Sequence, residues 1–244
     1  MLSNNEIEIS NSQWKNIYLI GAVFAIIVLT GTIVDIVTGI ITGGDLSKLP
    51  STAIGRFDQI HENRLLGLYN LDLLNSVIQT LAIPVYFALY AAHRKTNQGM
   101  AMLAFIIFLV GTAVFISGNS ALIMMDLSSK YFATSDEAQK ILIAAAGETM
   151  LAKGAHGSSS VFFSFMLPSI AGLLMSSVML SGKIFSKVAS CFGIAGNILI
   201  IIYLILVTFI PAMKTMAVAI AAPGGIMLMI WMIMYTIKLF KLAR

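Results

Sequence analysis

The sequence has little charge and a single cysteine. Asp, Glu, Lys and Arg together make up 11% of the 244 residues, whereas a soluble domain carries roughly a quarter. The single cysteine, Cys191, excludes an internal disulfide and any metal cage built from cysteines. The net charge of +4 does not indicate nucleic acid as a partner, because the cations stand mainly beside apolar segments. No P-loop, dinucleotide fingerprint or nucleophile elbow is present.

The sequence is rich in long apolar runs. Hydrophobic residues make up 58% of the chain, and the mean hydropathy is +0.91. Six runs of 23 to 26 residues are each long enough to cross a hydrocarbon core of roughly 30 Å as a helix. They cover residues 17–41, 65–90, 100–125, 158–181, 188–210 and 216–240. Because barrel strands are shorter and alternate, the sequence predicts an all-α, polytopic membrane protein with one integral membrane domain over residues 1–244, a six-transmembrane-helix bundle.

The distribution of cations predicts how the bundle is oriented. An even number of spans puts both termini on one side, and that side carries eight cations against two acids, Glu6 and Glu8. The opposite side carries seven of each. The positive-inside rule weights short loops, and the two short loops at 93–99 and 182–187 are basic and lie on the side of the termini. We therefore expect both termini in the cytoplasm.

Two long segments, 42–64 and 126–157, connect spans on the outer side. Loops of this length are usually functional or contain structure of their own. In the second one, Thr134 and Glu137 fit a capping box, and Gly154 can end the helix that follows. The sequence therefore predicts an additional interfacial helix in the long outer loop between the third and fourth spans.

A polar stripe runs along the second apolar run. Asp72, Asn75, Ser76 and Gln79 follow the spacing i, i+3, i+4, i+7, which is one face of a helix. A carboxylate in the middle of a span costs about 2.5–3.5 kcal/mol on insertion scales, so such residues turn toward protein or a water-filled cavity. The stripe indicates a polar interior inside the membrane.

Other polar residues lie at a similar depth. Asp35, Asp72, Asn119 and the tripeptide 223–225 are each six to nine residues from the outer end of a span, or roughly 10 Å below the outer interface. We expect Pro223-Gly224-Gly225 to break or kink the sixth helix at this level. An alternative stays open: the two carboxylates could instead form hydrogen bonds that only hold the helices together.

The outer segments contain the residue types of a metal or acid–base site. His61 and His156 could supply nitrogen ligands, and Glu62 or Glu148 could supply oxygen. The pair His61-Glu62 lacks the second histidine of the H-E-x-x-H motif. A solvated loop with salt-bridging charges is the alternative, and the sequence identifies no cofactor.

Five stretches of the sequence resemble a known family. They are NRLLGLYNLDLLN (63–75), SGNSALIMMDLSSKY (117–131), AAAGE (144–148), IAGLLMSSVML (170–180) and FSKVASCFGIAGNIL (185–199). Together they resemble bacterial multi-pass membrane proteins of the family called domain of unknown function 4386. The resemblance implies a protein of the bacterial cytoplasmic membrane with this number of helices. It implies no activity and no catalytic residue.

The favoured function is to bind or move a small solute or ion through an outward-facing polar cavity, without catalysis. Asp35 and Asp72 would bind a cation or proton, while Asn75, Gln79 and Asn119 would form hydrogen bonds. The bilayer is the expected partner, a small solute, ion or lipid is the expected ligand, and the oligomeric state is not determined. Two alternatives stay open: a membrane-surface hydrolase or lipid-modifying enzyme, with or without a metal, and an accessory, immunity or sensor subunit.

Overall fold

The computed structural model describes residues 4–41, 49–154 and 158–244, and these residues are almost entirely helical. The helices are α1 (Asn4–Ile41), α2 (Ala53–Glu62), α3 (Arg64–Tyr69), α4 (Leu73–Leu81), α5 (Ile83–His93), α6 (Gln98–Gly118), α7 (Ala121–Ala133), α8 (Glu137–Gly154), α9 (Ser159–Gly182), α10 (Lys187–Phe209) and α11 (Lys214–Ala243). A short 3-10 helix, Pro211–Met213, precedes α11.

Within the described residues, six helical stretches are long and apolar enough to cross a membrane. They are Gln13–Ile41, Leu73–His93, Gln98–Ala133, Glu137–Gly182, Lys187–Phe209 and Met216–Ala243. Each overlaps one of the six predicted runs. The prediction of a six-helix membrane bundle is confirmed, and the chain is a multi-pass membrane protein.

The spanning helices close into a ring. α1 packs against α5 and α11, and the ring continues from α5 through α6, α9 and α10 back to α11. Near the start of α1, Lys15 Nζ donates a hydrogen bond of 2.8 Å to the main-chain oxygen of Arg244, after the end of α11. We call this end of the bundle the terminal end, and the opposite end the distal end.

Apolar side chains fill the half of the bundle nearest the terminal end. Fully buried examples are Leu89 of α5, Met175 and Met179 of α9, and Leu239 of α11. Trp231 of α11 lies among them, and its indole N–H donates to the sulfur of Met179 at 3.3 Å. The apolar core therefore closes this half of the ring.

Small residues allow neighbouring spans to pack closely. A Cβ placed on Gly111 of α6 would lie 2.7 Å from Cδ of Pro168 and 2.9 Å from Cβ of Leu167, both on α9. A Cβ on Gly196 of α10 would lie 3.1 Å from the main-chain oxygen of Gly224 on α11. Because lipid tails are as apolar as the helices, close packing of this kind replaces the hydrophobic effect in holding the spans together.

The helices α2, α3, α7 and α8 cover the distal end. Their own small core contains Ala53 and Phe57 of α2 and Met124 of α7, all of them fully buried. Two polar contacts fasten α2 in place. Ser128 Oγ of α7 donates to the main-chain oxygen of Phe57 at 3.0 Å. Glu148 Oε1 of α8 accepts from the main-chain N–H of Ala53 at 2.6 Å.

Two of the predicted spans are interrupted. The run 65–90 is divided into α3, α4 and α5, with the first interruption between Tyr69 and Leu73. The second lies at Ala82, beside Pro84, whose ring removes a backbone donor. In the run 100–125, α6 ends at Gly118 and α7 begins at Ala121.

The predicted break at Pro223-Gly224-Gly225 is wrong, whereas the kink named as its alternative stays a prediction. Helix α11 continues through Pro223 from Lys214 to Ala243. Proline removes one backbone hydrogen bond, but membrane helices tolerate this where neighbouring helices and local adjustments compensate. Here α10 packs directly against the site, since a Cβ on Gly224 would lie 3.0 Å from Cβ of Leu199.

The additional helix predicted between the third and fourth spans is present as α8, which ends at the predicted Gly154. Its start differs from the predicted capping box. Asp136 Oδ1 accepts from a main-chain N–H two residues later at 2.9 Å, whereas Thr134 Oγ1 accepts from the N–H of Asp136. Asp136 stands closer to the first turn than Thr134 and is the stronger capping residue type. The position of α8 at the membrane surface stays a prediction.

Candidate functional site

The half of the bundle nearest the distal end contains a polar cavity of about 440 Å³. Residues of α1, α2, α3, α4, α6, α8 and α9 form its wall, together with the breaks between helices. The charged lining residues are Asp35, Arg56 and Asp72. The neutral polar ones include Tyr69, Asn75, Asn119, Ser160 and Ser164. Four of the five residues predicted to bind a ligand therefore line one cavity.

The break between α3 and α4 places Asp72 on the cavity wall. Asp72 has φ 60° and ψ 26°, a left-handed conformation that Asp adopts more readily than most residues. It stands at the start of α4, where its main-chain oxygen accepts from the N–H of Ser76 at 3.1 Å and from the Ser76 hydroxyl at 3.2 Å. Asn75 Nδ2 donates to Asp72 Oδ1 at 3.3 Å. Asp72, Asn75 and Ser76 therefore cluster as the stripe predicted, although Asp72 begins the helix instead of lying inside it.

Asn119 joins this break to the one in the third span. It caps the end of α6, and its Oδ1 accepts from the N–H of Ala121 at the start of α7 at 3.0 Å. Its Nδ2 donates to the main-chain oxygen of Leu71 at 2.9 Å. Unpaired backbone groups are costly at membrane depth, where little water can satisfy them. One amide therefore pairs backbone groups at both breaks.

Asp35 reaches the cavity from α1. Tyr69 of α3 donates its hydroxyl hydrogen to the main-chain oxygen of Asp35 at 2.9 Å, which holds α3 against α1. Tyr69, Asn75 and Asp72 all lie close to the Asp35 carboxylate, and the charge of Asp72 acts on it. Asp35 and Asp72 therefore line the same cavity.

Arg56 is a cavity residue that the sequence reasoning missed. It lies on α2, and its Nη1 donates to Gln59 Oε1 at 3.3 Å. Burial lowers the pKa of its guanidinium, and the charge of Asp72 raises it; the ordinary value is so high that the group stays protonated. The buried positions Ala53, Phe57 and Ile60 of α2 follow helical spacing. This spacing of apolar residues in the sequence could have indicated that α2 packs against the bundle and places Arg56 at the cavity.

Gln79 is the predicted ligand residue that does not line the cavity. It lies two turns further along α4, where its Nε2 donates to Thr112 Oγ1 of α6 at 3.4 Å. Thr112 is buried and donates in turn to the main-chain oxygen of Phe108 at 2.9 Å. Gln79 therefore connects two spans below the cavity.

Serine side chains of α9 form another part of the cavity wall. Ser164 is buried and donates to the main-chain oxygen of Ser160 at 2.7 Å. Gly118 of α6 lies so close to Ser160 that a Cβ on this glycine would collide with the hydroxyl. This close approach of α6 and α9 sets the width of the cavity on that side.

The four residues predicted to hold a metal have different surroundings. Glu148 accepts from the N–H of Ala53, and His61 stacks on the ring of Phe132 with centroids 4.1 Å apart. Glu62 is exposed at the end of α2, and His156 lies outside the described residues. Among the residues that the structure describes, no group of three or more His, Cys, Asp and Glu side chains converges.

The comparisons with known proteins agree with the resemblance seen in the sequence. The model of a family described as a domain of unknown function (DUF4386) matches residues 17–235. The match covers all six predicted spans except the last few residues of the sixth. No curated protein and no solved structure matches the chain.

Proposed function

The chain belongs to the DUF4386 family, and on that premise we propose that it binds a small polar solute in the distal cavity. Because the family's description carries no activity, the proposal depends on the cavity itself. Its volume of about 440 Å³ falls in the range of pockets that hold small ligands, roughly 300–1,000 Å³. The observation that supports it most strongly is that Asp35, Arg56 and Asp72 share this cavity inside a membrane bundle.

The cavity and the apolar core occupy different halves of the bundle, which favours binding from the distal end. The polar cavity occupies the half near the distal end, whereas Leu89, Met175 and Leu239 are fully buried in the other half. A solute in the cavity would meet these apolar side chains before it reached the terminal end. Passage across the membrane would need the helices around the core to separate, so we propose a solute-binding membrane protein and not an open channel.

The proposed orientation follows from the basic short loops. With both termini in the cytoplasm of a bacterium, the cavity would receive its solute from outside the cell. Lys15 and Arg244 stand together at the terminal end, as an even number of spans requires in either orientation.

Cysteine accessibility tests the proposal. The native cysteine, Cys191, is exposed and is first replaced by serine. Ser164→Cys then places a thiol on the cavity wall, and Ser176→Cys places a matched thiol further along α9 in the apolar half, where Ser176 is fully buried. Each protein is treated with the water-soluble cation trimethylammonium-ethyl methanethiosulfonate, and the rate of modification is measured by mass spectrometry.

We expect the Ser164→Cys variant to react about a hundredfold or more faster than the Ser176→Cys variant, because only a hydrated thiolate reacts and an apolar core excludes both water and charge. Applied to intact cells, the membrane-impermeant reagent should reach position 164 from outside. Equal, slow modification of both variants would contradict the cavity as a solute site. Equal, fast modification would contradict closure of the terminal half.

A further inference from the structure

Arg56 has unused hydrogen-bonding capacity at the cavity. Among the described residues it is the only Lys or Arg on the cavity wall. Its Nε is buried and has no hydrogen-bond partner, and within the described residues its one hydrogen bond runs from Nη1 to Gln59. Because the buried Nε lies off the cavity surface, an acceptor in the cavity would bind the terminal N–H groups of the guanidinium, and hydrogen bonds from a charged donor are strong.

The negative charges on the same wall do not neutralise Arg56 by direct contact. No ion pair between Arg56 and either carboxylate occurs within the described residues, and the recorded salt bridges join other side chains on α7 and α8. Asp72 Oδ1 is engaged by Asn75. The cavity therefore presents one cationic and two anionic groups, and Asp72 acts through space on both Arg56 and Asp35.

A ligand with a single charge would fit this wall poorly. An anion could use the free donors of Arg56 but would be repelled by Asp35 and Asp72. A cation could pair with a carboxylate and balance the charge of the wall, but it would offer no acceptor to the N–H groups of Arg56. Buried charges are stable only when they are paired and hydrogen-bonded.

We infer that the cavity binds a small zwitterion, with its carboxylate or comparable anionic group on Arg56 and its ammonium group on Asp35. The planar guanidinium suits a two-oxygen anion because its N–H groups form a fork. Tyr69 and Asn75 lie beside the Asp35 carboxylate, and all three residues line the cavity. The inference rests on the proposed function and names the chemical class of its solute.

Protection from modification tests the inference. The Ser164→Cys variant in the Cys191→Ser background is treated with neutral methyl methanethiosulfonate, with and without probes of matched chain length. The zwitterionic probes are glycine, beta-alanine and gamma-aminobutyrate. The matched single-charge probes are the n-alkylamines and n-alkylcarboxylates of the same lengths. The concentration dependence of protection gives an apparent affinity for each probe.

We expect at least one zwitterion to slow the modification, and its amine and carboxylate counterparts to protect about tenfold less well or worse. Arg56→Gln should weaken zwitterion binding about thirty-fold or more, the effect of removing one partner of a buried charge pair. Arg56→Lys should restore only part of it, because lysine keeps the charge and loses the fork. Arg64→Gln, a control at an exposed arginine outside the cavity, should leave binding unchanged.

Three outcomes would overturn the inference. One is protection by the amines equal to that by the zwitterions, the second is an Arg56→Gln variant that binds zwitterions as before, and the third is no protection by any zwitterion. In each case the proposed function would still stand if Ser164→Cys reacts quickly without a probe. Failure of the proposed function is visible earlier, as a thiol at position 164 that does not react at all. Thermal melting of each variant in detergent separates loss of binding from loss of folding.

Discussion

Glu148 fastens α2 to α8, and its replacement should loosen the helix that carries Arg56. Its Oε1 lies 2.6 Å from the main-chain nitrogen of Ala53, the first residue of α2. That N–H is one of the groups that no residue of the helix itself can satisfy. A carboxylate at a helix N-terminus also interacts favourably with the helix dipole. We therefore expect Glu148→Ala to act first on α2.

The size of the effect follows from the exposure of the two partners. Ala53 is fully buried, so its N–H loses its partner in the Glu148→Ala variant, and an unsatisfied buried donor costs about 1–3 kcal/mol. The side chain of Glu148 is exposed, which favours the lower part of this range. A loss of about 1–2 kcal/mol in the local opening free energy corresponds to a roughly five- to thirty-fold change in the opening equilibrium. Glu148→Gln keeps an uncharged acceptor and should lose about half as much free energy.

Hydrogen exchange measured by mass spectrometry can detect this change locally. Peptides covering Ala53–Glu62 should exchange faster by that factor in Glu148→Ala, while peptides from Lys187–Phe209 should be unaffected, since local opening is read segment by segment. Glu62→Ala is the matched control, because Glu62 is exposed at the other end of the same helix. Unchanged exchange of α2 in Glu148→Ala, or an equal increase in Glu62→Ala, would refute the reasoning.

Two further predictions concern packing and backbone conformation, and both are checked by thermal melting in detergent. Gly111→Leu should lower the melting temperature strongly, because even a Cβ at this position would lie 2.7 Å from Pro168; Gly99→Ala, where nothing lies within 4 Å, should have no such effect. Equal melting temperatures for these two variants would contradict close packing of α6 against α9. Asp72→Val should be less stable than Asp72→Asn by about 1–2 kcal/mol, because a β-branched residue adopts φ 60° poorly while Asn tolerates it. Equal stability of these two variants would show that the left-handed turn is not needed.

The spans could be predicted from the sequence because length and apolarity are local properties. Any helix of more than about twenty apolar residues can cross a bilayer, so the six runs were sufficient. The depth of Asp35, Asp72 and Asn119 could be predicted in the same way, by counting residues from the ends of the spans. All three residues line one cavity, and their depth below the membrane surface stays a prediction.

The breaks in the second and third spans could not be predicted from the same pattern. The spacing from Asp72 to Asn75 and Ser76 is the same whether Asp72 begins a helix or lies inside one. In both cases the main-chain oxygen of Asp72 accepts from Ser76, as in an ordinary helical turn. The rule that proline and glycine break helices instead predicted an interruption at position 223. There, packing of α11 against α10 kept the helix continuous.

The sequence alone determined that the chain lies in a membrane and how often it crosses, and it predicted which polar residues share a level, since each of these depends on distance along one helix. Only the tertiary structure decided which of them share a site. It brings Arg56 and Tyr69 to the carboxylates, and it separates Gln79 from them. The physical reason is that α2 and α3 fold back over the distal end, held by contacts such as Tyr69 to Asp35 and Ala53 to Glu148, between residues 34 and 95 positions apart. Spacing along a single helix carries no information about such contacts.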